Sequence, residues 1–488
     1  MVDKTKMKVV IVHYHLRRGG VSRVIDAAQR ALIARGHDVL VITGEAATFE
    51  GMSGSVRVLE ALDYRNTGSP VIADSLAEAL KAEARAHFGS EPDVWHFHNP
   101  TLAKNVMFPT LIGILAEEGA RIVLQLHDFA EDGRPGNYSK QRSFFDSESG
   151  FEGTLYPTAK QIHYATINQR DFDFLKNAGV SKHNLHVLPN AITEFPFSTT
   201  PEDRPFSKDR LFALYPTRGI RRKNIGELLL LALIYGDKVD FATTLNPENP
   251  EWMPAHNHWS ALIEELELPV DLGISEGERY EFFDLVGWAD FFVTTSVAEG
   301  FGLAFLEPWV SGKAVIGRDL PGITKDFEKV GVDLGNLYER IDVPVDWFDV
   351  EQLKAEIESV LRQTYLAYDV KMSKSALKQT WKAWVRKGKI DFGVLNESFQ
   401  TVALRKLKAD PGLLKDVDFP ALEPDSGEAI ESRARIIREI YSPSQYGDRL
   451  EKTYLGALSG HAGKVSNLNP KRVLDQFLDP ARLNLLRH

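Results

Sequence analysis

Two doubly wound α/β domains joined by a linker are the fold this sequence predicts, and three observations predict it. Short apolar runs alternate with amphipathic stretches from about residue 8 to residue 190, and again from about 210 to 364. A polar segment with three prolines, residues 194–209, separates the two alternations. The 488 residues also exceed what one hydrophobic core organises.

In the first half, strands are expected at 8–13, 38–43, 94–98, 121–127 and 162–167, closing around 185–189. These short apolar runs suit parallel strands covered on both faces. The helix after the first strand sets Val21, Val24, Ala28 and Leu32 on one face, and Gly36 ends it. Further helices are expected at 72–87, 101–118 and 168–178. In the second half, strands are expected at 211–215, 239–244, 290–294 and 314–316, with helices at 225–235 and 258–266. From residue 349 the pattern reads as helical throughout, beginning with an amphipathic helix over 349–364. Residues 371–410 carry ten Lys/Arg against three acids, a natural partner for the acidic stretch 416–431.

Composition excludes several classes. A net charge of −10 and a pI near 5.8 oppose general nucleic-acid binding. No cysteine is present, so disulfides and thiolate metal sites are ruled out. No apolar run reaches the roughly 18 to 20 residues of a membrane span, and the polar N-terminus has no signal-peptide pattern, so cytoplasm is the expected location.

The chemistry-bearing segment is 297–307, Val-Ala-Glu-Gly-Phe-Gly-Leu-Ala-Phe-Leu-Glu. It follows an apolar strand and leads toward a helix. Gly300 and Gly302 let backbone approach a ligand, and helix amides would favour an anion such as phosphate. Glu299 and Glu307 flank the junction; on a helix, at roughly 1.5 Å per residue, they would stand about 12 Å apart. Hydrolytic carboxylate pairs sit closer, at roughly 5 to 9.5 Å, so two separate bonding tasks on one long ligand are expected. A second segment, 216–224, places Arg218, Arg221, Arg222 and Lys223 at a strand end, where such crowding calls for an anion among them or for screening by solvent; Arg221 and Arg222 fit a solvated loop better and are set aside.

Together these motifs resemble the retaining GT-B glycosyltransferases of family 4, through the Glu-x7-Glu pair, an Arg-x4-Lys element (Arg218, Lys223) and the N-terminal pair Gly19-Gly20. The resemblance covers about 8–190 and 210–364, with a terminal segment 441–458 that would return to the first domain. It implies two Rossmann-like domains facing a cleft: 1–195 for the acceptor and 205–370 for the nucleotide-sugar donor. A helical insertion over 371–433 and terminal helices over 434–488 would complete the chain.

The same resemblance implies a retaining transfer of a hexose from a nucleotide sugar to a hydroxyl acceptor. Glu299, with Gly300, Phe301, Gly302 and Leu303, would face the donor sugar, and Glu307 the ribose. Arg218 and Lys223 would neutralise the leaving diphosphate, and Gly19 and Gly20 would approach it. His127 and Asp128, at a strand end, would meet donor sugar or acceptor. The nucleotide sugar is a co-substrate, and no cofactor is expected. A GT-B sugar-nucleotide epimerase, a glycoside phosphorylase and an inactive sugar-nucleotide-binding protein are the alternatives.

Metal ligation is not expected. Asp171 and Asp173 fall within a helix on different faces, and His96 and His98, on one strand face, show no third ligand in the sequence. The stripe Leu377, Trp381, Trp384, Val385 beside Lys374, Lys378, Lys382 and Arg386 fits a membrane surface. Packing of its tryptophans on the second domain is the favoured reading, which makes the expected acceptor small and soluble. Oligomeric state is not legible.

Overall fold

A computed structural model describes residues 6–487 apart from 18, 46–51, 65–69, 195–203, 205, 206 and 208, so the expected linker lies largely outside the described residues. The chain forms two compact units. The first holds residues up to Ala191 together with Ala367–Asp369 and Tyr441–Leu478; the second holds Ile192–Leu366, Val370–Ile440 and the chain from Asp479 onward.

The sheet of the first unit has seven parallel strands. In chain order these are β1 (Lys8–His13), β2 (Asp38–Thr43), β3 (Ser55–Val58), β4 (Val94–His98), β5 (Ile122–Leu126), β6 (Ile162–Thr166) and β7 (Leu185–Val187). Their spatial order is β3-β2-β1-β4-β5-β6-β7. The order reverses at β1/β4, so the loops after these strands gather at the carboxyl edge, where open α/β sheets take ligands. Val9, Ile11, Val39, Val41 and Val123 pack under helix Gly20–Ile33 and under Tyr446, Leu450, Tyr454 and Ala457 of helix Pro443–Leu458. Arg35 and His37 fix that late helix through Asp448 (2.9 Å) and Glu451 (2.8 Å).

Six parallel strands build the second unit: β8 (Leu211–Arg218), β9 (Val239–Leu245), β10 (Val270–Asp271), β11 (Phe291–Thr294), β12 (Ala314–Arg318) and β13 (Leu337–Tyr338), in the order β10-β9-β8-β11-β12-β13. Helix Ile225–Tyr235 is apolar nearly all round and buried through Ala232. Both sheets are therefore the Rossmann-like parallel kind expected.

Three expectations are corrected. The helix expected over 101–118 begins only at Phe108, because Asn99 and Ala103 take φ of 50° and 56°, which a right-handed helix excludes. Residues after 349 are not uniformly helical: Asp342–Pro344, Lys389–Asp391 and Val385–Arg386 form an antiparallel sheet. Segment 371–433 is thereby woven into the second unit, and the chain from Asp479 stays there too, with the Trp384 indole donating to Leu483 O at 3.1 Å. Helix Ala376–Trp384 buries Trp384, and Lys354 caps the half-buried Trp381 ring at 5.4 Å, so the tryptophans pack as favoured.

A buried ion network makes that weave. The Arg318 guanidinium, at the end of β12, donates twice to Asp391 (both 2.9 Å) and also to Glu227 (2.9 Å). Tyr338 Oη donates to the same Glu227 at 2.9 Å. Arg318→Ala leaves two carboxylates buried without their cation, and is expected to destabilise the second unit by about 3 to 5 kcal/mol. Thermal or urea unfolding followed by circular dichroism checks this; an unchanged midpoint contradicts it.

Candidate functional site

Strand β8 runs three residues further than expected, so Arg218 is its last residue and pairs with the exposed Glu248 at 2.7 Å. The chain then makes a 3-10 turn, Arg221–Lys223, closed by Asn224 at φ 53°. This left-handed residue is held on both sides: its Nδ2 donates to Glu227 (2.9 Å) and its Oδ1 accepts from Gln400 (2.8 Å). The Thr295 hydroxyl lies within hydrogen-bond reach of the Lys223 and Asn224 carbonyls (2.9 and 3.0 Å), while Val297 N donates to Arg222 O at 2.9 Å. The two sequence segments, 75 residues apart, thus form one stitched surface at the strand ends of β8 and β11.

Lys223 and Glu299 meet there as a close ion pair, both largely buried, with Arg222 at 3.4 Å from the same carboxylate. Burial alone would raise the Glu299 pKa, but Lys223, then Arg222, outweigh it and hold the carboxyl at about 2. Arg222, set aside on sequence grounds, therefore belongs to the constellation, and it also donates to Ala298 O at 2.7 Å. Arg221 does not: it binds Glu397 and donates to Leu485 O at 2.8 Å, anchoring the end of the chain. No local signal separates the two arginines, since their partners lie far away in sequence.

The rest of the Glu-x7-Glu segment departs from expectation. In place of a helix come a 3-10 turn, Leu303–Phe305, and a four-residue helix, Glu307–Val310, so a helix dipole contributes little and the 12 Å helical spacing does not apply. Gly302, at φ 92°, is required for a different reason: a Cβ there would meet Phe305 at 2.9 Å and Ile323 at 3.0 Å. Phe301 is buried edge-on against Phe327 and Glu307 is also buried, whereas Leu303 is half-buried.

In the first unit, Gly19 caps helix Gly20–Ile33, and both glycines are exposed, with open space where a Gly20 side chain would stand. His127 and Asp128 follow β5, and their amides both donate to Asn99 Oδ1 (2.7 and 3.1 Å) from the loop after β4. Asp128 binds Arg134 at 2.6 Å. His127 Nε2 lies 2.8 Å from His98 Nδ1, the rings stacked at 10°, and His98 stacks in turn on His96. His13 adds a fourth imidazole through His98 O at 3.3 Å. The sequence pointed to His96, His98 and His127, but not to their stacking or to His13. Two nitrogens sharing one proton at 2.8 Å do not converge on a metal, whose own bonds to nitrogen run about 2.0 Å each. Burial lowers all of them: His13 and His96 to about 3, His127 to about 4, and His98 well below its ordinary value. Asp171 is also structural: it is buried, its amide donates to Asn168 Oδ1 (2.8 Å), its carboxylate accepts from Asn168 Nδ2 (2.9 Å), and Asn168 thereby caps the helix.

Comparison with known proteins agrees with this fold. The profile described as Glycosyltransferase Family 4 matches residues 18–194. Mannosylglucosyl-3-phosphoglycerate synthase of Petrotoga mobilis is 28% identical over 438 residues, spanning 84% of this chain and 83% of that protein. Sucrose-phosphate synthase from Thermosynechococcus elongatus superposes with a TM-score of 0.52 at 14% identity, over 92% of this chain and 98% of that one. A glycosyltransferase from Rickettsia africae gives 0.53 at 14% identity, over 93% and 100%. Anabaena HepE, solved with UDP and glucose, gives 0.53 at 14% identity, over 92% and 99%. The chain is a glycosyltransferase with the GT-B fold. Within that class its first unit matches the family 4 profile, the family its motifs resemble.

The imidazole stack gives the first unit a pH signature. Each of these histidines has a folded pKa below its unfolded value near 6.5, so its stabilising effect is complete above pH 6.5 and is lost as pH falls toward 4 to 3. Each contributes a slope of about 1.4 kcal/mol per pH unit inside that window. The first unit is expected to unfold on acidification from pH 6.5 to 4, read by circular dichroism, with His96→Gln shallowing the slope. A flat profile across that window contradicts the buried neutral stack.

Proposed function

We propose that this enzyme transfers a hexose from a nucleoside-diphosphate sugar to a hydroxyl of a small soluble acceptor, with retention at the anomeric carbon. One observation carries the proposal: Arg218, Arg222, Lys223 and Glu299 share one surface at the ends of β8 and β11. Fixed cations there suit a departing diphosphate, because preorganised charge stabilises a leaving anion without reorganising solvent. Glu299 stays ionised beside them, ready to accept hydrogen bonds from sugar hydroxyls. Retention, and the task of Glu307 at the ribose, rest on the family resemblance. The name of the Petrotoga relative supports an acceptor of the phosphorylated glycoside kind.

Arg218 and Lys223 differ in what holds them. Arg218 pairs with an exposed carboxylate, a contact worth about 0 to 1 kcal/mol, and is readily turned over to a diphosphate. Lys223 is committed to Glu299, so a ligand must share it. Arg218→Ala and Lys223→Ala are each expected to raise the barrier by on the order of 3 to 4 kcal/mol with the fold retained. Turnover is read as nucleoside diphosphate released from UDP-, GDP- and ADP-sugars, with the product anomer assigned by NMR. Near-normal turnover in both variants overturns the anion-site assignment, and an inverted product overturns retention.

We also propose that transfer needs no divalent metal, because these cations stand where a metal would act on the diphosphate. The initial rate is expected to survive exhaustive EDTA treatment. A rate that collapses with chelator and returns with Mg²⁺ or Mn²⁺ contradicts this.

A further inference from the structure

Four loops meet at the carboxyl edge of the first sheet, those after β1, β3, β4 and β5, and three of them bring cations. The loop after β4, residues 99–107, is clamped on both sides. Asn105 Nδ2 donates to Ala61 O and Asp63 O, both at 3.0 Å, tying it to the loop after β3. From the other side, helix Pro135–Ser143 holds it through Asn137 to Leu102 O (2.8 Å) and Gln141 to Val106 O (2.9 Å). Between the clamps stands Lys104, following Ala103 at φ 56°, a backbone conformation that costs a non-glycine residue energy and persists only where its surroundings enforce it.

The Lys104 ammonium is half-buried and has no hydrogen-bond or ion-pair partner among the described residues. It lies 5.0 Å from the centre of the Tyr64 ring. Arg17, from the loop after β1, covers the same ring at 5.4 Å, and His15 Nε2 bonds Tyr64 Oη at 2.7 Å. Lys140, adjacent to the clamping Gln141, also lacks a side-chain partner among the described residues. Burial first, then Lys140 and Arg134, lower the Lys104 pKa, with Asp128 opposing. Asp128, the acid that acts on it, is already bonded to Arg134. Like charges gathered and partly desolvated without a counter-charge are costly unless an anion completes the set.

Resting on the glycosyl-transfer reading, we propose that Lys104 and Lys140, with Arg134 beside them and Tyr64 as a floor, form a subsite for the phosphate monoester of the acceptor. An ammonium binds phosphate as a point charge with up to three donors, and a rigid aromatic floor limits the orientations a small phosphorylated acceptor can take. The edge that bears His127 and Asp128 would thus select acceptors by charge as well as by their hydroxyl.

The test uses the full chain, with inorganic phosphate and 3-phosphoglycerate as calorimetric probes. UDP and GDP are titrated separately as the donor arm. Wild type is expected to bind both phosphate probes. Lys104→Gln and Lys140→Gln are each expected to weaken them roughly tenfold or more, the scale of one lost charge-assisted hydrogen bond, while nucleotide binding stays within about twofold. Once a transferable donor is known, Lys104→Gln should raise KM for a phosphorylated acceptor and leave kcat within a few-fold. No binding of either probe to wild type, or equal binding by the variants, overturns the subsite. Binding to phosphatidic acid vesicles with none to the soluble probes overturns its assignment to a soluble acceptor. Phosphate binding that depends on Lys104 in a protein that binds no nucleotide supports the subsite and removes the glycosyl-transfer reading.

Discussion

The second unit depends on how one guanidinium is buried. Arg318 reaches the end of β12 where two carboxylates, Glu227 from helix Ile225–Tyr235 and Asp391 from the strand Lys389–Asp391, are also out of water. Leaving any of the three alone would cost several kcal/mol, whereas together, with Tyr338 and Asn224 bonding Glu227, their hydrogen-bonding capacity is met. The network therefore determines where residues 385–400 can lie. It also continues into the site, because Glu227 and Gln400 between them hold the side chain of Asn224. A non-glycine residue at φ 53° needs such holding, and the residue before it is Lys223. The position of the site's buried lysine is in this way coupled to a sheet built from the late part of the chain.

That coupling explains what the sequence could and could not disclose. Strands such as Lys8–His13, Asp38–Thr43 and Val94–His98 were legible to the residue, because a strand covered on both faces must be apolar along its length. Val385–Arg386 and Lys389–Asp391 were not, because they are two or three residues long and lie among lysines. Their stability comes from Asp391 reaching Arg318, 73 residues away in sequence. Likewise Arg218, Lys223 and Glu299 could be chosen from motif spacing, while Arg221 and Arg222 stand side by side and serve different ends. One anchors Glu397 and the chain terminus, and the other lies against Glu299. Gly302 was legible as a required glycine, yet the requirement comes from Phe305, Ile323 and Phe327 behind it.

The two units share one way of managing buried polarity and differ in another. The second collects full charges and pairs them, as in Arg318 with Glu227 and Asp391, or Lys223 with Glu299. The first pairs charges too, as in Arg170 with Asp171, but it also buries four neutral imidazoles, His96, His98 and His127 stacked and His13 edge-on to His98. A neutral imidazole cluster raises the relative weight of charge at the sheet edge beside it, because it neither screens nor answers that charge. At the edge of the first sheet the uncancelled cations among the described residues are Lys104 and Lys140, since Arg134 already holds Asp128 and Arg17 already holds Glu45. A chain of net charge −10 that leaves two lysines at the carboxyl edge of a parallel sheet carries a local field there against its own average. If that edge receives the acceptor, as proposed, that local field, more than the overall charge, selects which acceptors approach.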